Sequence, residues 1–204
     1  MSDISSEIIV VDNHSSDDSC AMVKSIFPKV KLIENRDNIG FSKANNKAVE
    51  LAQGEYICIL NPDTVLAEDT FDKLIKFSQN KSNLGIVGIR FIDGSGYFLP
   101  ECKRNVPSLG TAIAKLFGNG QNYYANSVDE KVIAKVSVLT GAFMWMRRHL
   151  FIELEGFDED FFMYGEDIDL SYRALKMNFE NYYYGAATTT VSYTHLTLPT
   201  ICSV

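Results

Sequence analysis

The sequence predicts an α/β fold in which helices flank a mainly parallel sheet, and two patterns carry this prediction. Short apolar runs rich in β-branched residues recur at residues 7–11, 30–33, 56–60 and 84–92. Segments with helical spacing of apolar residues separate the first three runs. Strands that alternate with helices in this way pair in parallel through right-handed crossovers. A chain of 204 residues is the size of one domain and can bury a core without disulfides.

The elements between and after these strands are predicted in turn. Helices are expected at residues 19–27 and 41–52, because apolar side chains recur there every three or four positions. A third helix is expected at about residues 67–79. The run at 84–92 leads into a hairpin-type turn at residues 93–96. Residues 100–131, with two prolines and several glycines, predict loops or short helices.

Charge and cysteine content narrow the classes of function. The net charge of −7 and the isoelectric point near 5.0 argue against a nucleic-acid partner, because phosphate backbones are bound by basic surfaces. The four cysteines have no C-x-x-C spacing and are interpreted as reduced thiols of a cytosolic protein. No apolar stretch is long enough for a membrane span, and residues 1–7 do not resemble a signal peptide. Peripheral attachment to a membrane surface stays open.

Asp63 is the first candidate site residue. The apolar run at residues 56–60 ends at Asn61 and Pro62, and proline has no N–H to continue a sheet ladder. Asp63 therefore falls beyond the carboxyl end of a strand, where open α/β sheets bind ligands. One carboxylate suits Mg²⁺ or Mn²⁺, since these ions also take waters and substrate phosphates as ligands. The alternative is that Asp63 caps the helix that follows.

A second acidic segment lies in the last third of the chain. A strand-like run at residues 136–146 contains Thr140 and Gly141, and glycine within a strand often marks close approach of a ligand. An aromatic and acidic loop at residues 156–164 precedes Glu166, Asp167 and Asp169 at a predicted helix start. Three carboxylates so close together repel one another unless the helix dipole, a metal or another cation balances them. The alternative is an acidic first turn with one i,i+4 pair, Asp169 with Arg173.

Five segments taken together resemble the inverting glycosyltransferases of family 2, which have a GT-A fold, and especially the rhamnosyltransferase-like members. Each motif alone is weak, but the five occur in the order of the family across residues 7–190. The segments are Ile-Val-Val-Asp-Asn at 9–13 with Asp17, Asn-Ile-Gly-Phe-Ser-Lys-Ala-Asn-Asn at 38–46, Leu-Asn-Pro-Asp-Thr at 60–64, Leu-Thr-Gly-Ala at 139–142, and the loop and acidic turn at 156–170.

The resemblance implies roles for particular residues. Asp63 stands at the metal-binding aspartate of the family's D-x-D motif, Asp167 at the general base, and Asp12 at a contact with the nucleotide base or ribose. A base is needed because an acceptor hydroxyl is a poor nucleophile at neutral pH. The nucleotide-sugar contacts implied are Asp12, Asn13, Asp17, Asn38, Gly40, Lys43, Asn45 and Asn61, and the acceptor-side residues are Thr140, Gly141, Glu166, Asp169 and Arg173.

The chain departs from the family pattern at both ends. Family members usually begin with a further strand and helix, whereas six residues precede Glu7 here, so the sheet is expected to lack its first strand and to have a gap or an exposed edge. The expected GT-A domain spans residues 1–191, and residues 192–204 form an atypical tail outside it. His195 lies near the position of the family's metal-binding histidine, but its neighbours do not match.

The function implied is transfer of a sugar from a nucleotide-diphosphate donor to a saccharide or lipid-linked acceptor with inversion, in cell-surface glycan biosynthesis. Mg²⁺ or Mn²⁺ is the expected cofactor, and the expected location is the cytoplasm, with peripheral association at the inner face of the membrane left open. Two alternatives remain: a catalytically impaired domain that only binds nucleotide sugars, and a nucleotidyltransferase, which the absence of a Gly-rich phosphate loop disfavours. The oligomeric state, donor sugar and linkage are not specified by the sequence.

Overall fold

A computed structural model describes residues 4–105, 124–125, 127–191 and 200–203. The helices are α1 (Ser19–Ile26), α2 (Phe41–Leu51), α3 (Thr70–Gln79), α4 (Arg148–Glu153) and α5 (Glu166–Lys176). The strands are β1 (Ile9–Asp12), β2 (Lys31–Glu34), β3 (Tyr56–Leu60), β4 (Thr64–Leu66), β5 (Leu84–Ile92), β6 (Lys103–Arg104), β7 (Ile133–Lys135), β8 (Val138–Leu139), β9 (Phe143–Arg147), β10 (Glu180–Val191) and β11 (Thr200–Ser203).

Nine of the described strands form one mixed sheet, in the order β2-β1-β11-β3-β9-β5-β10-β4, with β7 added on β10. Only β1–β2 and β5–β10 pair in parallel, and the other pairings are antiparallel. The α/β class is confirmed, but the prediction of a mainly parallel sheet is wrong, because most of the strand pairs are antiparallel. Apolar runs report burial and not strand direction, so the reversed strand β9, inserted between β3 and β5, could not be recognised as antiparallel.

The expected gap in the sheet is occupied. Strand β11 lies between β1 and β3 and is antiparallel to both, with Val10 opposite Cys202 and Cys202 opposite Leu60. The prediction of a gap or an exposed edge beside β1 is therefore wrong for this structure. Four residues of the segment expected to lie outside the domain pair with its central strands. The rest of that segment, His195 included, lies outside the described residues.

The predicted elements of the first half are largely confirmed. Strands β3 and β5 have the predicted bounds, and α1 and α2 each end one residue earlier than expected. Helix α3 begins at Thr70, later than predicted, because Thr64–Leu66 pair with β10 as strand β4. That strand separates Asp63 from the helix. The alternative in which Asp63 caps the following helix is therefore excluded.

The core lies on both faces of the central strands. Ile57, Cys58 and Ile59 of β3 are fully buried, as expected for a strand covered on both sides. Trp145 of β9 stacks on Tyr56 with ring centroids 5.0 Å apart, and its indole Nε1 donates a hydrogen bond of 3.0 Å to Ser78 Oγ. The helices of the described ranges are too short and too polar to span a bilayer.

Candidate functional site

Asp12 is the last residue of β1 and lies at the carboxyl end of that strand. Its side chain is buried, and Oδ2 accepts a hydrogen bond of 3.0 Å from the backbone N–H of Ser15. Burial acts to raise the pKa of Asp12, but hydrogen bonds from Ser15 and its neighbours outweigh it and leave the pKa lowered. Asp12 is therefore an ionised, fixed hydrogen-bond acceptor, which suits a hydroxyl or N–H donor on a ligand.

Asn13 connects β1 to the loop before α2. Its Nδ2 donates to the carbonyl of Gly40 at 3.1 Å, while its Oδ1 accepts from Asn35 Nδ2 at 2.9 Å. Lys47 Nζ donates in turn to Asn35 Oδ1 at 2.6 Å. This buried chain of amides fixes the loop that carries Asn38 and Gly40. The sequence predicted Asn13 as a ligand contact, and the structure shows that much of its hydrogen-bonding capacity is used to position that loop.

Gly40 joins the start of α2 to the aromatic loop at residues 156–165. Its φ of +85° and ψ of 173° lie in a region open essentially to glycine alone. A Cβ there would lie 2.6 Å from the carbonyl oxygen of Phe162, which accepts a hydrogen bond of 2.8 Å from the N–H of Phe41. Asn38 Oδ1 accepts from the N–H of Gly40 at 3.1 Å and shapes the same turn. Glycine at position 40 is therefore required for this close contact.

Three other predicted donor contacts, Asp17, Lys43 and Asn45, lie in different local environments. Asp17 is exposed, and its Oδ1 accepts from the N–H of Ser19 at the start of α1, which lowers the pKa of Asp17. Lys43 is exposed on α2, whereas Asn45 is fully buried and donates to the carbonyl of Phe41 at 3.0 Å. These three side chains differ in exposure and in their local contacts. Their roles toward a ligand stay predictions.

Asp63 follows β3 at the sheet edge and is exposed. Among the described residues no side chain pairs with it, and partial removal from water raises the pKa of its carboxyl. The preceding Asn61 donates its N–H to the carbonyl of Ala142 at 3.0 Å and accepts a bond of 2.7 Å from Thr64 Oγ1. The backbone beneath Asp63 is thus fixed while its carboxylate is uncompensated.

The exposed, unpaired carboxylate of Asp63 fits a divalent cation whose other ligands come mainly from a bound substrate. Within the described residues no cluster of three or more His, Cys, Asp or Glu side chains could hold a metal ion by itself. One oxygen ligand with no competing cation is the protein contribution expected for Mg²⁺ or Mn²⁺ when a diphosphate supplies further oxygens. A bound cation would offset the partial removal from water that raises the pKa of Asp63.

Asp167 lies in the first turn of α5 and is held on two sides. Its Oδ2 accepts from the N–H of Gly141 at 3.0 Å and from Arg104 Nη2, while Oδ1 accepts from the N–H of Ile168 at 2.8 Å. The side chains of Arg104 and Asp167 are 13% and 11% exposed, so this ion pair is largely removed from water. The candidate base thus sits in a defined orientation against the turn at Thr140–Ala142.

Glu166, next to Asp167, is also buried but has a different environment. Its Oε2 has no hydrogen-bond partner within the described part of the chain. Burial raises the pKa of Glu166, and the adjacent Asp167 raises it further. Both effects favour the neutral form of Glu166 over its ionised form.

Asp169 and Arg173 form the i,i+4 pair that the helical spacing predicts. Arg173 Nε and Nη2 lie 2.7 and 2.6 Å from Asp169 Oδ2. The guanidinium also donates to the carbonyls of Leu154 and Gly156. This pair therefore braces the start of the aromatic loop, as the ion-pair alternative predicts, and contact of these two residues with an acceptor stays a prediction.

Two residues of the site were missed by sequence reasoning. Arg104 supplies the cation that the acidic turn requires, although the sequence named no candidate for it. Asn46 bonds to both backbone groups of Phe157 at 2.8 and 2.9 Å and so fastens α2 to the aromatic loop. Arg104 carried no local signal, and Asn46 lies in the segment at 38–46 but its contact could not be read from it, because the partners of both lie more than 60 residues away. The three adjacent carboxylates indicated only that the helix dipole, a metal or another cation must balance them.

The turn at Thr140–Ala142 brings the two acidic sites together. Ala142 accepts from the backbone of Asn61 on the Asp63 side, and Gly141 donates to Asp167 on the other. Thr140 accepts from the N–H of Phe143 and closes the turn at 3.3 Å. The two carboxylates with predicted chemical roles therefore flank one turn at one edge of the sheet.

This architecture is the GT-A fold of glycosyltransferases. The structure matches that of GalNAc-T7 with UDP, GalNAc and Mn²⁺ at a TM-score of 0.66 and 15% identity, over 92% of this chain and 38% of that one. It matches S. aureus TarS 1–349 in complex with UDP at a TM-score of 0.60 and 19% identity, over 91% and 51% of the two chains. At such low identity the likeness establishes the fold.

The chain belongs to the glycosyl transferase family 2, whose sequence model matches residues 4–155. An N-acetylglucosaminyl-diphospho-decaprenol L-rhamnosyltransferase of Mycobacterium tuberculosis is 27% identical over 198 residues, which cover 88% of this chain and 64% of the relative. The rhamnosyltransferase WbbL of Escherichia coli K12 is 29% identical over 149 residues, 66% of this chain and 53% of the relative. The chain thus spans just over half to about two thirds of the length of these relatives.

Proposed function

We propose that this protein transfers a sugar from a nucleotide-diphosphate donor to a saccharide or lipid-linked acceptor, with inversion, in the biosynthesis of a cell-surface glycan. The observation that carries the proposal is the placement of Asp63 and Asp167 on either side of the turn at Thr140–Ala142. Among the described residues Asp63 has no cationic partner, whereas Asp167 is held by fixed hydrogen-bond donors. A transfer reaction needs both: a site for an anionic leaving group and a base for the incoming hydroxyl. The rhamnosyltransferases among the relatives support it.

The chemistry of the proposed step follows from these two positions. Asp167 takes the proton of the acceptor hydroxyl while the oxygen of that hydroxyl bonds to the anomeric carbon. The bond from that carbon to the diphosphate breaks on the opposite face, and its electron pair leaves with the diphosphate. A single displacement of this kind inverts the anomeric centre without a covalent sugar–enzyme intermediate. Asp63 would hold Mg²⁺ or Mn²⁺, which supplies charge stabilisation to the diphosphate when bound.

On the donor side we propose that Asp12 contacts the nucleoside. Asn13, Asn38 and Gly40 shape the loop beside it, and Asp17, Lys43, Asn45 and Asn61 complete the donor-side residues that the family pattern implies. The fixed carboxylate of Asp12 favours contacts with ribose hydroxyls or base N–H groups over phosphate. Rhamnose carried by dTDP is the first donor to test, because the relatives named above include rhamnosyltransferases.

The acceptor is proposed to approach across the loop before α5. Phe162 and Tyr164 expose 54% and 83% of their surface, and Met163 between them exposes 38%. Such an apolar tip beside Asp167 suits the lipid part of a lipid-linked acceptor, and it suits peripheral attachment at the cytoplasmic face of a membrane. Flotation with anionic liposomes tests this: the wild type should float, and Tyr164→Ser should float less. Equal flotation would remove support for membrane attachment.

Calorimetric titration with UDP, dTDP and GDP, each with and without Mn²⁺, tests the donor site. We expect one nucleotide to bind only with Mn²⁺, binding to be lost in Asp63→Ala, and binding to be kept in Glu153→Ala, which removes an exposed carboxylate from α4. If the folded protein bound no nucleotide, it would not be a working transferase. Binding without turnover of the matching nucleotide sugar would instead favour a domain that binds donors but does not transfer them.

A further inference from the structure

The contacts of Asp167 distinguish its two carboxylate oxygens. Oδ2 accepts two hydrogen bonds, from Arg104 Nη2 and from the N–H of Gly141, and so uses both of its lone pairs. Oδ1 accepts only from the N–H of Ile168 within the part of the chain that the structure describes. One lone pair of Oδ1 is therefore available to a ligand, and the direction of that lone pair is set by whatever fixes Oδ2.

Arg104 is itself held firmly enough to fix Oδ2. It belongs to β6, which pairs with β8, and its Nη2 also donates to the carbonyl of Leu139 at 3.2 Å. Successive residues of a strand face opposite sides, and the neighbouring Lys103 is buried on the other side, where Nζ donates to the carbonyl of Ala125 at 3.0 Å. Lys103 therefore anchors the strand while Arg104 reaches across to α5.

The charges around Asp167 leave no substitute for Arg104 among the described residues. On α5, the neighbouring carboxylates are Glu166 and Asp169, and the guanidinium of Arg173 is committed to Asp169. Arg104 is the cation in contact with Asp167, and its charge partly offsets the burial that raises the pKa of Glu166. Without Arg104, two adjacent buried carboxyl groups would lack a balancing charge.

We propose that Arg104 is a positioning residue for sugar transfer: it holds Oδ2 of Asp167 against the turn at Thr140–Ala142, so that Oδ1 presents its free lone pair to the acceptor hydroxyl. The proton of that hydroxyl passes to Oδ1 as the new glycosidic bond forms and the bond from the anomeric carbon to the diphosphate breaks, its electron pair leaving with the diphosphate. Because this role rests on the proposed transfer reaction, its test includes a measurement that does not need turnover.

The test compares Arg104→Gln and Arg104→Lys with a matched control, Arg90→Gln. Arg90 of β5 is about as buried as Arg104 and pairs with Glu130 at 3.1 Å, so its loss costs an ion pair without touching Asp167. We expect Arg104→Gln to lower kcat about 10- to 100-fold while KM for the donor stays within about twofold, since a small misplacement of a reacting group has effects of this size. Lysine should restore part of kcat, because it keeps the charge but not the planar fork.

A second readout does not depend on turnover: NMR measures the rate of hydrogen exchange of the Gly141 amide in each variant. The thermal midpoint of each variant is measured as well. Faster exchange of this amide in Arg104→Gln than in Arg90→Gln, at similar thermal midpoints, supports the positioning role even if no donor is turned over. Unchanged exchange in Arg104→Gln overturns it. A kcat for Arg104→Gln equal to that of Arg90→Gln, or a loss confined to KM for the donor, also overturns it. Absence of transfer by the wild type would count against the proposed function alone.

Discussion

The two acidic regions of the site differ in how their carboxylates are compensated. At the end of β3, Asp63 is exposed and has no partner among the described side chains, and its pKa is raised. In the first turn of α5, Asp167 and Asp169 are each paired with an arginine. A carboxylate left without a cation is suited to receive one with a ligand, whereas a paired carboxylate is already in its working orientation. Removing a carboxylate charge should therefore change stability in opposite directions in the two regions.

The largest expected effect is that of Asp167→Asn on transfer. An amide cannot take the hydroxyl proton, so the rate should fall by about 10²- to 10⁴-fold. Nucleotide binding, measured by calorimetry, should stay close to that of the wild type because Asp63 is untouched. Transfer at the parental rate would show that another group is the base, and Glu166, with its raised pKa, would be the next candidate.

Gly40→Ala tests the contact between the start of α2 and the aromatic loop that precedes α5. The substitution combines an unfavourable backbone conformation with a contact of 2.6 Å to the Phe162 carbonyl, so the free energy of unfolding should fall by about 3 kcal/mol. Urea denaturation gives the value. Gly96→Ala has a similar φ but no atom within 4 Å and should cost less, and Gly94→Ala, with neither feature, should cost least. Equal losses in all three would mean that the contact with Phe162 carries no weight.

Asp169→Asn should lower the free energy of unfolding by about 2 kcal/mol, because a part-buried arginine that also braces two carbonyls loses its charged partner. The matched control is Asp69→Asn, which breaks an exposed i,i+4 pair with Lys73 and should cost no more than about 0.5 kcal/mol. Thermal melts at low ionic strength compare the two. If both variants lost the same amount, the brace on the aromatic loop would be unimportant for stability.

The smallest effect is expected for Asp63→Asn, and its sign is opposite. The pKa of Asp63 in the folded protein lies above its usual value of 3.8. Ionisation of this carboxyl therefore opposes folding, and stability is lost as the pH rises from 3.8 through the folded-state pKa. The amide should therefore stabilise the protein at pH 7 by less than about 1 kcal/mol, since solvent screens this exposed group. The gain should disappear below about pH 3.8, where the carboxyl is protonated in both states. A loss of stability at pH 7 would contradict the view of Asp63 as an uncompensated charge.

Sequence patterns sufficed where local physics decides the structure. The apolar run at residues 56–60 and the proline after it define β3, and the spacing of Asp169 and Arg173 predicts their pairing. Strand direction was not predictable in this way. Strands β9 and β11 run antiparallel to their neighbours, but an apolar run indicates only that a strand is buried and not in which direction it runs. Arg104 could not be found either, because its partner Asp167 lies 63 positions away and the fold alone brings them together.

Trp145 gives the chain an internal optical reporter. It is the protein's one tryptophan, 4% exposed on the central strand β9, stacked on Tyr56 and bonded to Ser78 of α3. Its fluorescence should shift to longer wavelength when the sheet and α3 separate and admit water to the indole. Unfolding of every variant above can therefore be followed without a label, through one chromophore that contacts both the sheet and a covering helix.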